Sequence, residues 1–368
     1  MNPEPFHVRR RAFAVLAVAG LVLGACGGDD DDDTDPPATQ PTATQPAGTE
    51  PAETDAPAGP DAPATIRIGY QLIPNGDLIV KHEGWLEEAF PDSTIEWNLF
   101  DSGGAVNEAF IARALDIGLA GSSPVSRGLS NGIEYQVPWI HNVIGAAEAL
   151  AVTADSGIAD LAGLAGKTIA TPFASTAHYS LLAALERAGL SAGDVNIIDA
   201  QPADIAAAWA NGDIDGAYVW NPTLAGLVAD GGTLLVTSAE LAAEGKTTYD
   251  LAVVSTGFAT DHPDAVAAWV AAQNRAVELL NSDPDAAAAI LATELEITAA
   301  SAKAQAADLI FVSAADQAGA DFLGGGLAAN LFAAAQFNQE LGEIETVKDE
   351  AAYTAAVYTA AAEAVAGG

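Results

Sequence analysis

From Thr65 onward the apolar positions fall into short runs separated by helix-length patterns. Thr65-Ile66-Arg67-Ile68-Gly69-Tyr70 alternates with the period of two that a half-buried strand requires. A loop, Gln71 to Gly76, leads into a helical pattern over Asp77 to Phe90. Thr94 to Phe100 reads as a second strand. The turn Asp101-Ser102-Gly103-Gly104 opens a helix that runs to about Arg113. Ile117-Gly118-Leu119-Ala120 is a third strand, and Gly121-Ser122-Ser123-Pro124 starts the helix after it. This β-α-β-α order predicts a parallel sheet with helices on its faces.

The same logic restarts near Ala149. Strand Ala149 to Thr153 is followed by strand Thr168 to Ala170, a helix from Ser180 to Ala188, strand Val195 to Asp199, helix Pro202 to Asn211 and strand Gly216 to Val219. The two halves rhyme. Asp116-Ile117-Gly118-Leu119-Ala120-Gly121-Ser122-Ser123-Pro124 matches Asp213 to Pro222 in kind: an acidic turn, an apolar strand, a capping residue, then Pro. Loops at the carboxyl ends of parallel strands in two such lobes surround a shared crevice. Leu251 to Ser255, preceded by Thr247-Thr248-Tyr249-Asp250, reads as a return strand to the first lobe. After His262-Pro263 the chain is predicted helical over Asp264 to Leu280, Asp285 to Leu291, Thr298 to Ala307, Leu327 to Leu341 and Asp349 to Ala364.

The stretch with the most chemistry is Thr171-Pro172-Phe173-Ala174-Ser175-Thr176-Ala177-His178-Tyr179. It joins a buried strand to a helix, so free backbone N–H groups and the positive end of the helix dipole meet there. Ser175 and Thr176 add hydroxyls at capping positions, and His178 adds a ring donor. Neither Lys nor Arg lies in this stretch, so a small oxyanion would be held by hydrogen bonds alone.

Charge narrows the choice of ligand. The chain of 368 residues has 13 basic and 50 acidic side chains, a net charge of −37. That field disfavours nucleic acid and anionic lipid surfaces. A plain anion meets long-range repulsion, whereas a zwitterion brings its own ammonium. The single cysteine, Cys26, excludes an intrachain disulfide. It follows Arg9-Arg10-Arg11 and the short apolar run Ala12 to Leu23, and Leu23-Gly24-Ala25-Cys26 resembles a bacterial lipobox. Residues 1–25 are therefore expected to be a lipoprotein signal, with Cys26 lipidated and the protein anchored on the extracytoplasmic face of the cell membrane. Residues 26–64, with five consecutive aspartates from Asp29 to Asp33 and then Pro, Thr and Ala, are expected to form a solvated tether. There is no Gly-x-Ser-x-Gly elbow, His-Glu-x-x-His or Walker motif, which argues for a binding protein and against an enzyme. No motif calls for a cofactor or a metal.

Several motifs in order resemble the substrate-binding proteins of bacterial ABC importers for taurine and related sulfonates. They are Gly69-Tyr70-Gln71, Phe100-Asp101-Ser102-Gly103, Asp116-Ile117-Gly118, Gly121-Ser122-Ser123-Pro124 and Glu148-Ala149-Leu150. Further on come Pro172-Phe173 with Ser175 to Leu185, Gln201-Pro202, Ala207-Ala208-Trp209 and Gly212 to Pro222. The resemblance covers about Ile66 to Pro263 and is looser beyond. It implies an α/β, two-lobe periplasmic-binding-protein-like fold of type II: two parallel-rich sheets, a hinge and a helical C-terminal segment. Lobe 1 is expected over 65–148, lobe 2 over 149–250, and the return to lobe 1 with the C-terminal helices over 251–368. The implied role is capture of a small zwitterionic or anionic ligand by a monomer. Delivery is to a membrane permease driven by a separate ATPase.

On this reading Ser122, Ser123, Ser175, Thr176 and His178 hold the sulfonate, although Ser122 and Ser123 also suit plain helix capping, Ser123 taken alone equally so. Asp250 holds the amine, with Asp77 in support or merely favoured by a helix dipole. Trp220 walls the pocket, and Gln71 and Tyr179 are further polar contacts. Trp209, at helical spacing with Ile205, reads as core; Asp101 and Ser102 either point into the cleft or cap a helix. Where taurine binders of the family commonly have Ser-Ala-Glu-Pro after the Gln, this chain has Leu72-Ile73-Pro74-Asn75-Gly76-Asp77. That departure leaves open an alkanesulfonate, a thiamine-precursor pyrimidine or another small nitrogen compound. A ligand sensor facing a membrane receptor is the alternative in role.

Overall fold

A computed structural model describes residues 61–367. The expected signal, Cys26 and all but the last four residues of the expected tether lie outside the described residues. Those four belong to the fold. Ala62 packs against the core, the Pro63 carbonyl accepts from Ser93 Oγ at 2.8 Å, and the Ala64 carbonyl accepts from the Thr94 amide at 2.8 Å.

The strands, in chain order, are β1 (Thr65–Tyr70), β2 (Thr94–Leu99), β3 (Ile117–Gly121), β4 (Tyr135–Ile144), β5 (Glu148–Val152), β6 (Thr168–Thr171), β7 (Asn196–Asp199), β8 (Gly216–Trp220), β9 (Thr233–Thr237), β10 (Thr248–Ser255) and β11 (Leu309–Ile310). They form a six-stranded sheet in the order β11-β4-β10-β3-β1-β2 and a five-stranded sheet in the order β7-β6-β8-β5-β9. In the first, β1 pairs in parallel with both β2 and β3, while β10 runs antiparallel between β3 and β4. In the second, β6 pairs in parallel with β7 and β8, and β5 alone opposes its neighbours. The chain passes between sheets twice, at residues 145–147 and after the helix Ser238–Ala242.

Alternation places the core on both faces of each sheet. Ile66, Ile68, Ala252 and Val254 face one cluster with Trp269 of the long helix Pro263–Ser282. Leu251, Val253 and Ile140 face another with Leu327 and Leu331 of the helix Gly326–Glu340. In the second sheet Leu150 and Val152 point one way, Ala149 and Ala151 the other.

Three strands lie where none was expected. β4 contains Pro138, which cannot donate to a ladder. The strand survives because its register with β10 slips there: Trp139 faces Ala252 and Gln136 faces Val254. β9 and the short β11 are the other two. The predicted helix over Asp77 to Phe90 is divided into Gly76–Glu83 and Trp85–Ala89 at Gly84, whose φ of 68° is left-handed. The predicted last helix is likewise divided, into Glu350–Ala356 and Ala360–Gly367, because Val357 bridges to Val137 of β4. No helix among the described residues is long and apolar enough to cross a membrane.

Candidate functional site

The carboxyl ends of β1, β3, β4, β6 and β8 and the amino ends of the opposed strands β5 and β10 converge on one small pocket. Its lining comes from both sheets: Gln71, Ile73 and Pro74 after β1; Gly103, Gly121 and Pro124; Ile144, Ala147 and Glu148 at the crossing; Ser175 and Thr176 after β6; Trp220 and Asn221 after β8; and Asp250 and Leu309.

Three helices begin at this pocket: Gly103–Ile111, Ser122–Ser130 and Thr176–Arg187. The first N–H groups of each lack intrahelical partners, and their dipoles add positive potential. The sequence builds these starts from small residues. A Cβ on Gly121 would sit 2.5 Å from Thr176 Cγ2, and one on Gly103 would sit 3.2 Å from the Gly121 amide nitrogen. Only glycine lets the helix starts approach this closely.

Opposite in character are two buried carboxylates. Asp250 sits in β10 between Gly121 of β3 and Asn142 of β4, and is 8% exposed. Burial, then the charge of Glu148, pushes its carboxyl up to about 7, against the pull of Asn142. Glu148, at the start of β5, is fully buried and accepts hydrogen bonds from Thr176 Oγ1 at 2.6 Å, Ser238 Oγ at 2.8 Å and Ser180 Oγ at 3.2 Å. Burial raises its carboxyl as well, while those three hydroxyls oppose the rise. The lining contains neither Lys, Arg nor His.

Of the expected ligand residues, Gln71, Ser175, Thr176, Trp220 and Asp250 line the pocket. Within that group the hydroxyls are already engaged. Ser175 Oγ donates to the Pro172 carbonyl and accepts from the His178 amide as a helix cap, and Thr176 Oγ1 donates to Glu148. Backbone N–H groups at the helix starts and the Trp220 indole N–H are the donors left for an oxyanion here. Gln71 Nε2 donates to the Leu119 carbonyl at 3.0 Å.

The other five do not line it. Ser122 Oγ accepts from the Tyr249 amide, which ties β10 to the helix Ser122–Ser130. Ser123 Oγ meets the Asn338 side chain. His178 stacks on Phe173 at 4.5 Å and faces Glu343, which Arg127 holds at 2.6 Å. Tyr179 packs edge-on against Phe337 at 4.9 Å. Asp77 lies behind the loop Leu72 to Asn75, where Gln273 Nε2 donates to it at 2.7 Å. Each of these points into packing because helical periodicity turns it away from the first-turn N–H groups. Asp101 is exposed and Ser102 is the buried N-cap of its helix; Trp209 is buried in the core of the second sheet.

Sequence reasoning missed the place of Glu148 in the pocket lining, read only as part of a family motif, and that of Asn221. Glu148 stands directly opposite Trp220 in the β5–β8 pairing, and an acidic residue at the start of an all-apolar strand was its available signal.

Residues 59–295 match the model of the NMT1-like family. The chain is 40% identical over 193 residues to the taurine-binding periplasmic protein of Escherichia coli K12, covering 52% of this chain and 59% of that one. It is 36% identical over 217 residues to a putative aliphatic sulfonates-binding protein of Bacillus subtilis 168, covering 58% and 64%. The matches thus span about three-fifths of the length of these relatives. Among solved structures, the alkanesulfonate-binding protein from Xanthomonas axonopodis pv. citri bound to MOPS superposes with a TM-score of 0.67 at 25% identity, over 81% of this chain and 99% of that one. A desulfurization enzyme shares the fold alone, at 17% identity and a TM-score of 0.59, over 82% and 99%. The two sheets, the two crossings and the helical C-terminal segment are those of a periplasmic-binding-protein-like fold, and the chain belongs to the NMT1-like family.

Proposed function

We propose that this protein captures taurine, or a similar small aminoalkanesulfonate, between its two sheets and delivers it to an ABC importer. The observation that carries this reading is the pairing of three helix starts with two buried carboxylates in a pocket without a basic side chain. A sulfonate suits backbone N–H groups and helix dipoles. An ammonium suits Asp250 and Glu148, since a buried carboxylate pair needs a cation or a proton to offset its desolvation. The chain is lipidated at Cys26 and stands outside the cell membrane. Its monomeric body acts as a binder rather than an enzyme, with the permease as its partner and the ATPase engaged indirectly. A thiol-to-Ser change at Cys26 should release the protein from membranes into the soluble fraction; retention on membranes would remove the anchor.

Isothermal titration of the chain from residue 61 onward against taurine, ethanesulfonate and sulfate tests the ligand. Tight binding of taurine and weak binding of the other two is expected. Equal binding of both sulfonates would sink the amine half of the reading. A plain alkanesulfonate is the second reading, favoured by the sulfonate-binding relatives and by an Asp250 carboxyl that is half protonated near neutrality.

A further inference from the structure

We propose that Asp250 and Glu148 act as a proton-sharing pair that sets, through pH, whether the pocket takes an aminoalkanesulfonate or a plain alkanesulfonate. This rests on the sulfonate reading above and adds to it a regulated selectivity.

The pair has three relevant features. Both carboxylates line the same pocket, from different sheets. The charge of Glu148 acts on Asp250 and raises its carboxyl. Among the described residues the surroundings also supply no compensating charge. From β4, Asn142 faces Asp250; from the helix Thr176–Arg187 and from Ser238, only hydroxyls face Glu148; from β8, Tyr218 reaches Ser238 at 3.1 Å. Asn221 leads to a further carboxylate, Asp308, at 3.4 Å, and burial raises that one too. His141, beside Asn142 in sequence, faces Asp77 instead, at 3.6 Å.

Two like charges in one buried site do not both ionise without cost. With the pocket holding no cation, the pair keeps one proton near neutrality. An ammonium replaces that proton, which leaves to solvent, and both carboxylates are then ionised against it. A ligand without an ammonium requires the proton to stay, and its binding to the ionised pair takes one up. Asp250, raised to about 7, places the crossover near neutral pH. Above it Asp250 is ionised and suits an ammonium; below it the protonated Asp250 suits a plain alkanesulfonate.

Calorimetry of the chain from residue 61 onward, at about pH 6 and about pH 8 in buffers of differing ionisation enthalpy, reads this directly. Taurine binding should release protons and ethanesulfonate binding should take them up, and the preference for taurine should rise about tenfold or more between the two conditions. Asp250→Asn should abolish proton exchange for both ligands and raise ethanesulfonate affinity. Glu148→Gln, which keeps one acceptor oxygen and turns an NH2 donor toward the hydroxyl on the other side, should lessen the exchange. Binding of both ligands with no proton exchange and a constant ratio would overturn the proposal while leaving the sulfonate reading intact. Failure of both ligands to bind under either condition would overturn both.

Discussion

Asp77 and Asp250 have carboxyl groups raised alike to about 7, yet they are unlike in consequence. Asp250 opens onto the pocket, where a ligand can reach it. Asp77 is sealed in, with Gln273 on one oxygen and His141 3.6 Å from the other. Burial holds His141 down to about 3, so it supplies no positive charge near neutrality. A carboxyl whose folded value lies above its unfolded value costs stability once pH passes the unfolded value, and the cost grows until pH passes the folded one. For Asp77 that window runs from the ordinary aspartate value, about 3.9, up to about 7. Asp77→Asn should therefore stabilise the protein at about pH 8 by on the order of 1–3 kcal/mol and have little effect near pH 4. Thermal unfolding at the two conditions checks it, and a variant less stable than the parent at the higher pH would contradict the assignment. Asp77 shows why a place outside the pocket was not legible in the sequence. An aspartate in the first turn of a helix looks the same whether the turn faces a ligand or a neighbouring helix.

Among the elements, the helix starts at Gly103, Ser122 and Thr176 depend on small residues at their contacts. Gly121→Ala should drive its methyl into Thr176, disturb the Thr176–Glu148 hydrogen bond, and weaken taurine binding tenfold or more, at a fold cost of about 1–3 kcal/mol. Titration of the variant beside its melting curve separates the two effects, and unchanged affinity would mean that the close approach is not needed. Gly84→Ala should cost about 1 kcal/mol through its left-handed φ, with ligand affinity unchanged. Most of the fold was legible at this scale. β1, β2, β3, β5, β6, β7, β8 and β10 fall on the apolar runs that predict them, within a residue or three at their ends. β4 was hidden because Pro138 and a slipped register break the period of two. The division of the last helix at Val357 was hidden because its cause is a bridge to Val137, a contact made by the fold and not by any local pattern.

At the scale of the molecule, the loops of the two sheets meet over the pocket. A Cβ on Gly104 would lie 3.7 Å from that of Ala174. A small pocket lined from both sheets fits hinge closure about the two crossings. Ligand should then shift the fluorescence of Trp220 at the wall and contract the molecule in solution scattering; an unchanged scattering profile would argue against closure. The net charge of −37 works against compactness, so added salt should raise the melting temperature by several degrees. The path of the chain through the first sheet has a further consequence, for the order of folding. The second sheet is drawn from one unbroken stretch, β5 to β9, whereas β4 ends at Ile144 and its neighbour β10 begins only at Thr248. During synthesis or refolding the second sheet can therefore close first, while the apolar edges of β3 and β4 wait for β10 to slot between them. Because Asp250 rides on that late strand, the pocket and the completed fold arrive together, and the ligand can reward only the final step of assembly.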